Sequence, residues 1–271
     1  MITTSDLVDK IKTEAPTVRL TCKQLDIVDV ERFVVEGDVG LSDAAVQAYA
    51  ARRIEIAEAT LADPDAEKQG LLGIERDGKT LRWRPGTKLT YAVWRPSFGT
   101  DAEYQAAADG MAAATADWQT ICGIEFEHVE AKDTDQNLKL GDVSFPVLRQ
   151  QGGGNTIAMA FFPDDPVNER LVWVFDGFFA PNPTFDRVGV LRHELGHALG
   201  FRHEHIRPEA PDLFRPESLE HTVEITEYDS KSVMHYLGPG VGDPQLRFTE
   251  HDRKGARIVY GGPYSEFSFA D

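Results

Sequence analysis

Apolar and polar residues alternate along several short stretches of the chain from about residue 76 onward. In KLTYAVW, Leu89, Tyr91 and Val93 point to one side, as they would in a β-strand. Further strands are predicted at GIEFEHV, NLKLGDVSF, NTIAMAFF and RLVWVF, which are separated by clusters of Gly, Pro and Asp. The pattern therefore predicts a sheet.

Helical periodicity appears on both sides of these strands. In DAEYQAAADGMAAATADW, large or small apolar residues recur every three or four positions, and Asp101 is placed to cap the first turn. A closing helix is predicted in TEHDRKGARIVY, with Thr249 and Asp252 as a capping box and Gly261 as its end. A sheet backed by helices predicts an α+β fold.

The first part of the chain has a different texture. Short helical patterns surround the extended piece ERFVVEGDVGLS, and Ser42 to Ala62 is predicted to be a helix with few large apolar residues. We therefore predict an N-terminal region at residues 1–75 and a domain at residues 76–271.

Composition and charge exclude several classes of protein. The 271 residues are 41% hydrophobic and 27% charged, which is typical of globular proteins, and the net charge of −17 argues against a nucleic-acid partner. No stretch approaches the roughly 20 apolar residues of a membrane span. The N-terminus does not resemble a secretory signal, so the cytoplasm is the default expectation, with signal-independent export or a trimmed signal left open. The oligomeric state is undetermined.

The chain has two cysteines, Cys22 and Cys122, too few for a disulfide framework or a cysteine zinc site. The sequence allows one disulfide between them.

The segment RVGVLRHELGHALGFRHEH matches HExxHxxGxxH at His193, Glu194, His197, Gly200 and His203. On a helix, the first two histidines lie about 40° apart and roughly 6 Å along the axis, so both imidazoles can reach one metal ion. The helix has to end at Gly200, because a continued helix would carry the third histidine about 15 Å away from the first.

Three imidazoles leave one position open on a tetrahedral Zn²⁺ ion, which is the mark of a catalytic rather than a structural zinc site. We expect one zinc ion, held by His193, His197 and His203. Glu194 flanks the same helix face, and its expected role is that of a general base that takes a proton from the attacking water.

The extended motif resembles that of the metzincin metallopeptidases, and HELGHALGFRHE is similar to the astacins in particular. SVMHY, at residues 232–236, resembles their methionine turn. The resemblance implies a twisted mixed sheet with an antiparallel edge strand, a backing helix, a zinc-binding helix and a C-terminal helix. It also implies that Met234 forms a floor beneath the imidazoles without binding zinc, and that Tyr236 stabilises the oxyanion.

The resemblance further implies that a substrate lies antiparallel to the edge strand, which we place in NTIAMAFF. The chain departs from astacins in one respect, because Cys122 has no downstream cysteine and the usual disulfides cannot form. This departure suggests a divergent, cytosol-compatible or bacterial member.

Astacin prosegments carry an F-x-G-D motif whose aspartate occupies the water position on zinc, and this chain has Val-Glu-Gly-Asp ending at Asp38. We therefore expect residues 1–75 to form an inhibitory prosegment. An ordinary turn at Asp38 is one alternative, and zinc binding by the thiolate of Cys22 is another.

In astacins, the glutamate after the third histidine receives the N-terminus that is freed when the prosegment is removed. By position this glutamate is Glu204, and the matching start would fall near residues 70–76. Glu204 could instead pair with Arg202 or Arg207.

These features predict a zinc endopeptidase, latent in its precursor form, that acts on protein or peptide substrates. One alternative is a catalytically silent zinc-binding module whose cleft is permanently plugged. Another is a matrixin-like or other bacterial metzincin, in which Tyr236 is only structural.

Overall fold

A computed structural model describes residues 3–35, 38–47, 49–51, 71–76, 78–84, 86–211 and 222–261, together with the backbone of 267–270. The strands described are β1 (Thr17–Cys22), β2 (Ile27–Val35), β3 (Val39–Leu41), β4 (Leu72–Arg76), β5 (Lys79–Trp83), β6 (Lys88–Val93), β7 (Glu125–His128), β8 (Phe145–Arg149), β9 (Ala158–Met159), β10 (Val172–Val174), β11 (Thr222–Glu224) and β12 (Phe267–Ala270). The helices that the structure bounds are α1 (Thr4–Glu14), α2 (Asp101–Ile121), α3 (Arg187–Ala198) and α4 (Glu250–Gly261).

The predicted sheet has five strands in the order β7-β6-β8-β10-β9. All pairings in it are parallel except that of β9 with β10, which is antiparallel. The antiparallel strand β9 lies at an edge, in the NTIAMAFF segment where the sequence predicted it. The α+β class and the mixed sheet are therefore confirmed.

One predicted strand begins later than expected. NLKLGDVSF was predicted to be extended throughout, but β8 begins only at Phe145. The preceding loop is folded into turns by its polar side chains: the Lys132 ammonium contacts both Asp135 and Asp142, at 2.9 Å each. Local side-chain bonds of this kind compete with a sheet ladder.

The long helix α2 forms as predicted and buries Met111, Ala114 and Trp118. Its cap lies one residue earlier than predicted, because the Thr100 side chain accepts from the Glu103 backbone N–H and Asp101 is already helical. The helix α2 packs closely on α3 at Gly110. A Cβ atom at this position would lie only 2.8 Å from Leu191 Cδ1.

A second sheet has the order β11-β4-β5-β12. Its strand β4 spans the predicted boundary at residue 75, and Leu71, just before it, belongs to the main apolar core. The helix α4 starts with the predicted capping box, since Thr249 and Asp252 exchange backbone-to-side-chain hydrogen bonds at 2.9 and 3.1 Å.

The N-terminal region contains α1 and the antiparallel sheet β1-β2-β3. Of the helix predicted at residues 42–62, residues 43–47 and 49–51 are helical, and residues 48 and 52–62 lie outside the described residues. Apolar side chains of β1 and β2 share one cluster with the central sheet, in which Leu20 and Val34 pack with Trp94 and Trp173. The two regions are therefore joined by a common core.

Both cysteines are free. Cys22 lies in the apolar cluster just described, whereas Cys122 caps the end of α2. The disulfide that the sequence allowed between them therefore does not form. Within the described residues, no helix is both long and apolar enough to cross a membrane.

Candidate metal centre

The helix α3 carries the HExxH part of the motif. Asp186 caps it by accepting from the Gly189 N–H at 2.8 Å. Its apolar face is completely buried at Leu191, Leu195 and Ala198. The two histidines consequently share the opposite face.

The helix ends where the sequence predicted. Gly200 adopts φ +92°, and the N–H groups of Gly200 and Phe201 donate to the carbonyls of His197 and Gly196 at 2.8 and 2.9 Å. This pair of bonds is a Schellman motif, which favours glycine at the left-handed position. The chain reverses there and returns His203 to the first two histidines.

The three Nε2 atoms and one carboxylate converge. His203 Nε2 lies 3.2 Å from that of His193 and 3.1 Å from that of His197. The Asp38 carboxylate oxygens lie 3.2 to 3.5 Å from the three nitrogens. Donors bound to one zinc ion at about 2.0–2.1 Å lie about 3.3–3.4 Å apart in a tetrahedron, so these side chains fit such an ion.

The hydrogen bonds of two of these rings also fit a metal site. The Nδ1 atom of His193 donates to the Val233 carbonyl at 2.7 Å, and that of His197 donates to the Phe201 carbonyl at 2.9 Å. In neutral rings these bonds leave the Nε2 lone pairs facing the shared point. Burial lowers the pKa of His197 to about 4, so this ring is neutral at neutral pH. Facing lone pairs repel unless a cation lies between them.

Asp38 comes from the N-terminal region and is almost fully buried, at 7% exposed. Burial acts to raise its pKa, but the surrounding His203, His193 and His197 hold the pKa of this carboxyl well below its usual range. Its neighbour Val39 forms a parallel bridge with Ala160, next to the edge strand β9. Cys22, the alternative ligand, is not brought to the histidines. Residues 36 and 37 lie outside the described residues.

Glu194 is buried beside the histidines, and its Oε2 atom has no hydrogen-bond partner within the described part of the chain. Burial, and then the Asp38 carboxylate, raise its pKa well above the usual range. Glu194 and Tyr236 border a cavity of about 110 Å³. Apolar side chains form much of its wall: Ile157, Phe185, Val190 and Leu246.

The methionine turn lies against α3. Met234 is fully buried, and a Cβ at Gly196 would overlap its sulfur, so the helix approaches the methionine as closely as a glycine allows. The Asp252 carboxylate fixes this turn by accepting from the Ser232 hydroxyl at 2.6 Å and from the Val233 N–H at 2.9 Å. Sequence reasoning treated Asp252 only as a helix cap, and its position in the capping box gave no signal of this second contact.

Tyr236 lies at the edge of the histidine cluster. Its ring centroid is 4.6 Å from that of His203, and it stacks on His205 at 4.2 Å. No local pattern in the sequence predicted this stacking.

Glu204 is fully buried and forms an ion pair with Arg207, with 3.0 Å between Oε1 and Nε. The same oxygen accepts from the Asp229 N–H at 2.9 Å. Burial raises the pKa of Glu204 to about 7. Arg207, one of the partners considered from the sequence, therefore pairs with Glu204.

Gly200→Ala tests the turn. We expect it to destabilise the fold by roughly 1–2 kcal/mol, because alanine is strained at positive φ, and to weaken zinc binding as His203 shifts. Equilibrium unfolding and chelator competition for zinc measure the two effects.

Gly86→Ala is the matched control, since Gly86 also has a positive φ (+78°) but nothing within 4 Å of its Cβ position. It should show comparable strain with unchanged zinc affinity. Equal zinc affinities in both variants would contradict the role given to Gly200.

Comparisons with known proteins place this site in a family. The model of the peptidase M10 family, Matrixin, matches residues 82–238. The zinc metalloproteinase nas-38 of Caenorhabditis elegans is 28% identical over 146 residues, which are 45% of this chain. The chain covers 20% of the length of that relative.

Two structures of myroilysin are also similar. One is 19% identical with a TM-score of 0.48, covering 70% of this chain and 99% of that one. The other is 18% identical with a TM-score of 0.43, covering 66% and 85%.

The predicted metzincin type is confirmed, whereas the astacin subfamily and a bacterial origin are not. The family match includes α3, its turn and the methionine turn, and it spans more than half of the chain. The chain therefore belongs to the matrixin family of metzincin-type zinc metalloproteases.

Proposed function

We propose that this chain is a zinc-dependent endopeptidase whose N-terminal region keeps it latent. The observation that carries the proposal is the convergence of three imidazole nitrogens, beside the buried carboxylate of Glu194. His193, His197 and His203 hold the ion in this proposal. When bound, zinc supplies a Lewis acid that makes water a nucleophile near neutral pH.

Glu194 acts as the general base. Its carboxylate takes a proton from the attacking water and passes it to the departing amine. The oxygen without a partner supports this assignment, since it is free to accept such a proton. Burial excludes competing solvent and favours proton uptake by the carboxylate.

Tyr236 donates a hydrogen bond to the oxyanion that develops on the substrate carbonyl. Its place beside His203 supports this role, which is the astacin-type part of the proposal. The stacking on His205 orients the ring. The match to the Matrixin family favours the other role that the sequence left open, in which Tyr236 serves only for packing.

The substrate binds as an additional strand at the edge formed by β9. The cavity beside Glu194 then accepts one side chain of the substrate. Because Phe185, Val190 and Leu246 line it and its volume is about 110 Å³, we propose that it prefers an apolar side chain of moderate size.

Asp38 blocks the centre in the uncut chain, because its carboxylate takes the fourth position of the donor set. Its segment runs parallel to the edge at the Val39–Ala160 bridge. A substrate is expected to run antiparallel to that edge. The inhibitory segment therefore fills the cleft in the direction opposite to that of a substrate, and it offers a carboxylate rather than a peptide carbonyl.

The N-terminal region also makes anchoring contacts that lie away from the metal centre. It shares the apolar cluster with the central sheet, and the Thr21 N–H donates to Gln150 Oε1 at 3.0 Å. This anchoring favours a second candidate function, the catalytically silent module with a plugged cleft. Peptidase assays after limited proteolysis separate the two, since only a latent enzyme gains activity.

The mature catalytic unit, in this proposal, starts at or before Leu71. Leu71 is buried in the main core, and its N–H donates to the Thr226 hydroxyl at 2.6 Å. A start further along the expected 70–76 stretch would remove residues of β4. Glu204 is then a buried receptor for the freed N-terminus only if its ion pair with Arg207 rearranges.

Glu194→Gln tests the catalytic assignment. We expect zinc content to stay the same and turnover of a denatured protein by the trimmed chain to fall on the order of 10²–10⁴-fold, because the general base is lost. Glu125→Gln, at an exposed position on β7, is the control and should keep full activity. Unchanged turnover in Glu194→Gln would rule out its role.

Tyr236→Phe tests oxyanion stabilisation. We expect kcat to fall on the order of 10²–10³-fold with little change in KM or zinc content, because one transition-state hydrogen bond is removed. Steady-state kinetics of the trimmed chain measure this split. Near-normal kcat would support the packing role.

Asp38→Ala tests latency. It should raise the peptidase activity of the uncut chain by about tenfold or more, equivalent to about 1.4 kcal/mol of lost blocking interaction. Activity should stay below that of the trimmed chain, since the apolar anchoring persists. Glu31→Ala, which removes an exposed carboxylate from the same region, is the control.

Activation by Cys22→Ala with no response to Asp38→Ala would instead support the thiol alternative.

A further inference from the structure

The turn that carries His203 has an unusual set of hydrogen bonds. Four consecutive carbonyl groups, at residues 198–201, each accept a hydrogen bond from a different element of the structure. His197 Nδ1 on α3 donates to the last of these, Phe201, at 2.9 Å. The Ile74 N–H of β4 donates to Gly200 at 2.9 Å.

The other two donors are buried side chains from distant parts of the sequence. Trp83 Nε1, at the end of β5, donates to the Ala198 carbonyl at 2.7 Å. The Tyr260 hydroxyl, on α4, donates to the Leu199 carbonyl at 2.6 Å. These carbonyls belong to the last helical residue and its cap, which have no intrahelical donors available. Burial raises the pKa of Tyr260, so its hydroxyl remains a donor.

Beyond the turn, the backbone on both sides of His203 is fixed. The Arg202 N–H donates to the Leu72 carbonyl at 2.8 Å, and the Glu204 N–H donates to the Met234 carbonyl at 2.9 Å. His203 is therefore placed by its backbone, and any rotation of the turn moves its imidazole relative to His193 and His197.

We propose that Trp83 and Tyr260 are positioning residues of the metal centre, which set the location of His203 by holding the Ala198 and Leu199 carbonyls. Neither side chain is among the converging donors, so both act through the turn. The inference rests on the proposed function only in taking His203 as a zinc ligand.

Tyr260→Phe in the full chain is the direct test, because it removes the hydroxyl and keeps the ring that packs edge-on against Phe201. Tyr104→Phe is the matched control. The Tyr104 hydroxyl also makes one protein hydrogen bond, to Asp133 at 2.7 Å, but on α2, away from the turn.

Zinc affinity is measured by chelator competition, and the geometry of the site by the visible absorption of the Co²⁺-substituted protein. We expect Tyr260→Phe to weaken zinc binding about tenfold, the lower end of the effect of losing a supporting contact, and to alter the Co²⁺ spectrum. Tyr104→Phe should leave both unchanged. Thermal unfolding of the metal-free variants reports any general loss of stability.

Trp83→Phe provides a second, independent probe and should also weaken zinc binding, with a larger effect in the double variant. The proposal is overturned if Tyr260→Phe lowers the unfolding temperature of the metal-free protein but leaves zinc affinity and the Co²⁺ spectrum like those of Tyr104→Phe. Failure of the parent chain to bind zinc would instead overturn the proposed function.

Discussion

The structure depends on bringing the Nε2 atom of His203 to 3.2 Å from that of His193 and to 3.1 Å from that of His197. Lone pairs that face each other at this distance repel, so the rest of the fold has to hold them there until a cation binds. One helix supplies two of the rings at fixed spacing, and its reversal at Gly200 supplies the third. Carbonyl groups at Val233 and Phe201 orient two of the rings from behind.

This constraint explains why so many buried polar groups surround α3. The Asp252 carboxylate holds the methionine turn, which in turn accepts from His193 and contacts Gly196. These contacts join groups on different elements, and they fix the methionine turn against α3. A shift of one element would also move the ligand positions, because the interior is closely packed.

The N-terminal region uses the same centre differently. Asp38 joins the histidines as a fourth donor. The region is also anchored by apolar packing against the central sheet, which does not involve the metal centre. The contact of Asp38 with the histidines and the apolar anchoring are therefore separate interactions. Cys22 lies in this apolar cluster, where burial raises the pKa of its thiol and disfavours the reactive thiolate.

Local sequence was enough to predict the two histidines on α3, the reversal at Gly200 and the helix around them. These features follow from helix periodicity and the conformational freedom of glycine over a few residues. The sequence also brought Asp38 forward as a candidate, through a short motif. The tertiary structure was needed to bring Asp38 to the histidines, to pair Glu204 with Arg207, and to join Trp83 and Tyr260 to the turn. These contacts join residues far apart in the chain, and no local period records which distant donor will meet a given carbonyl.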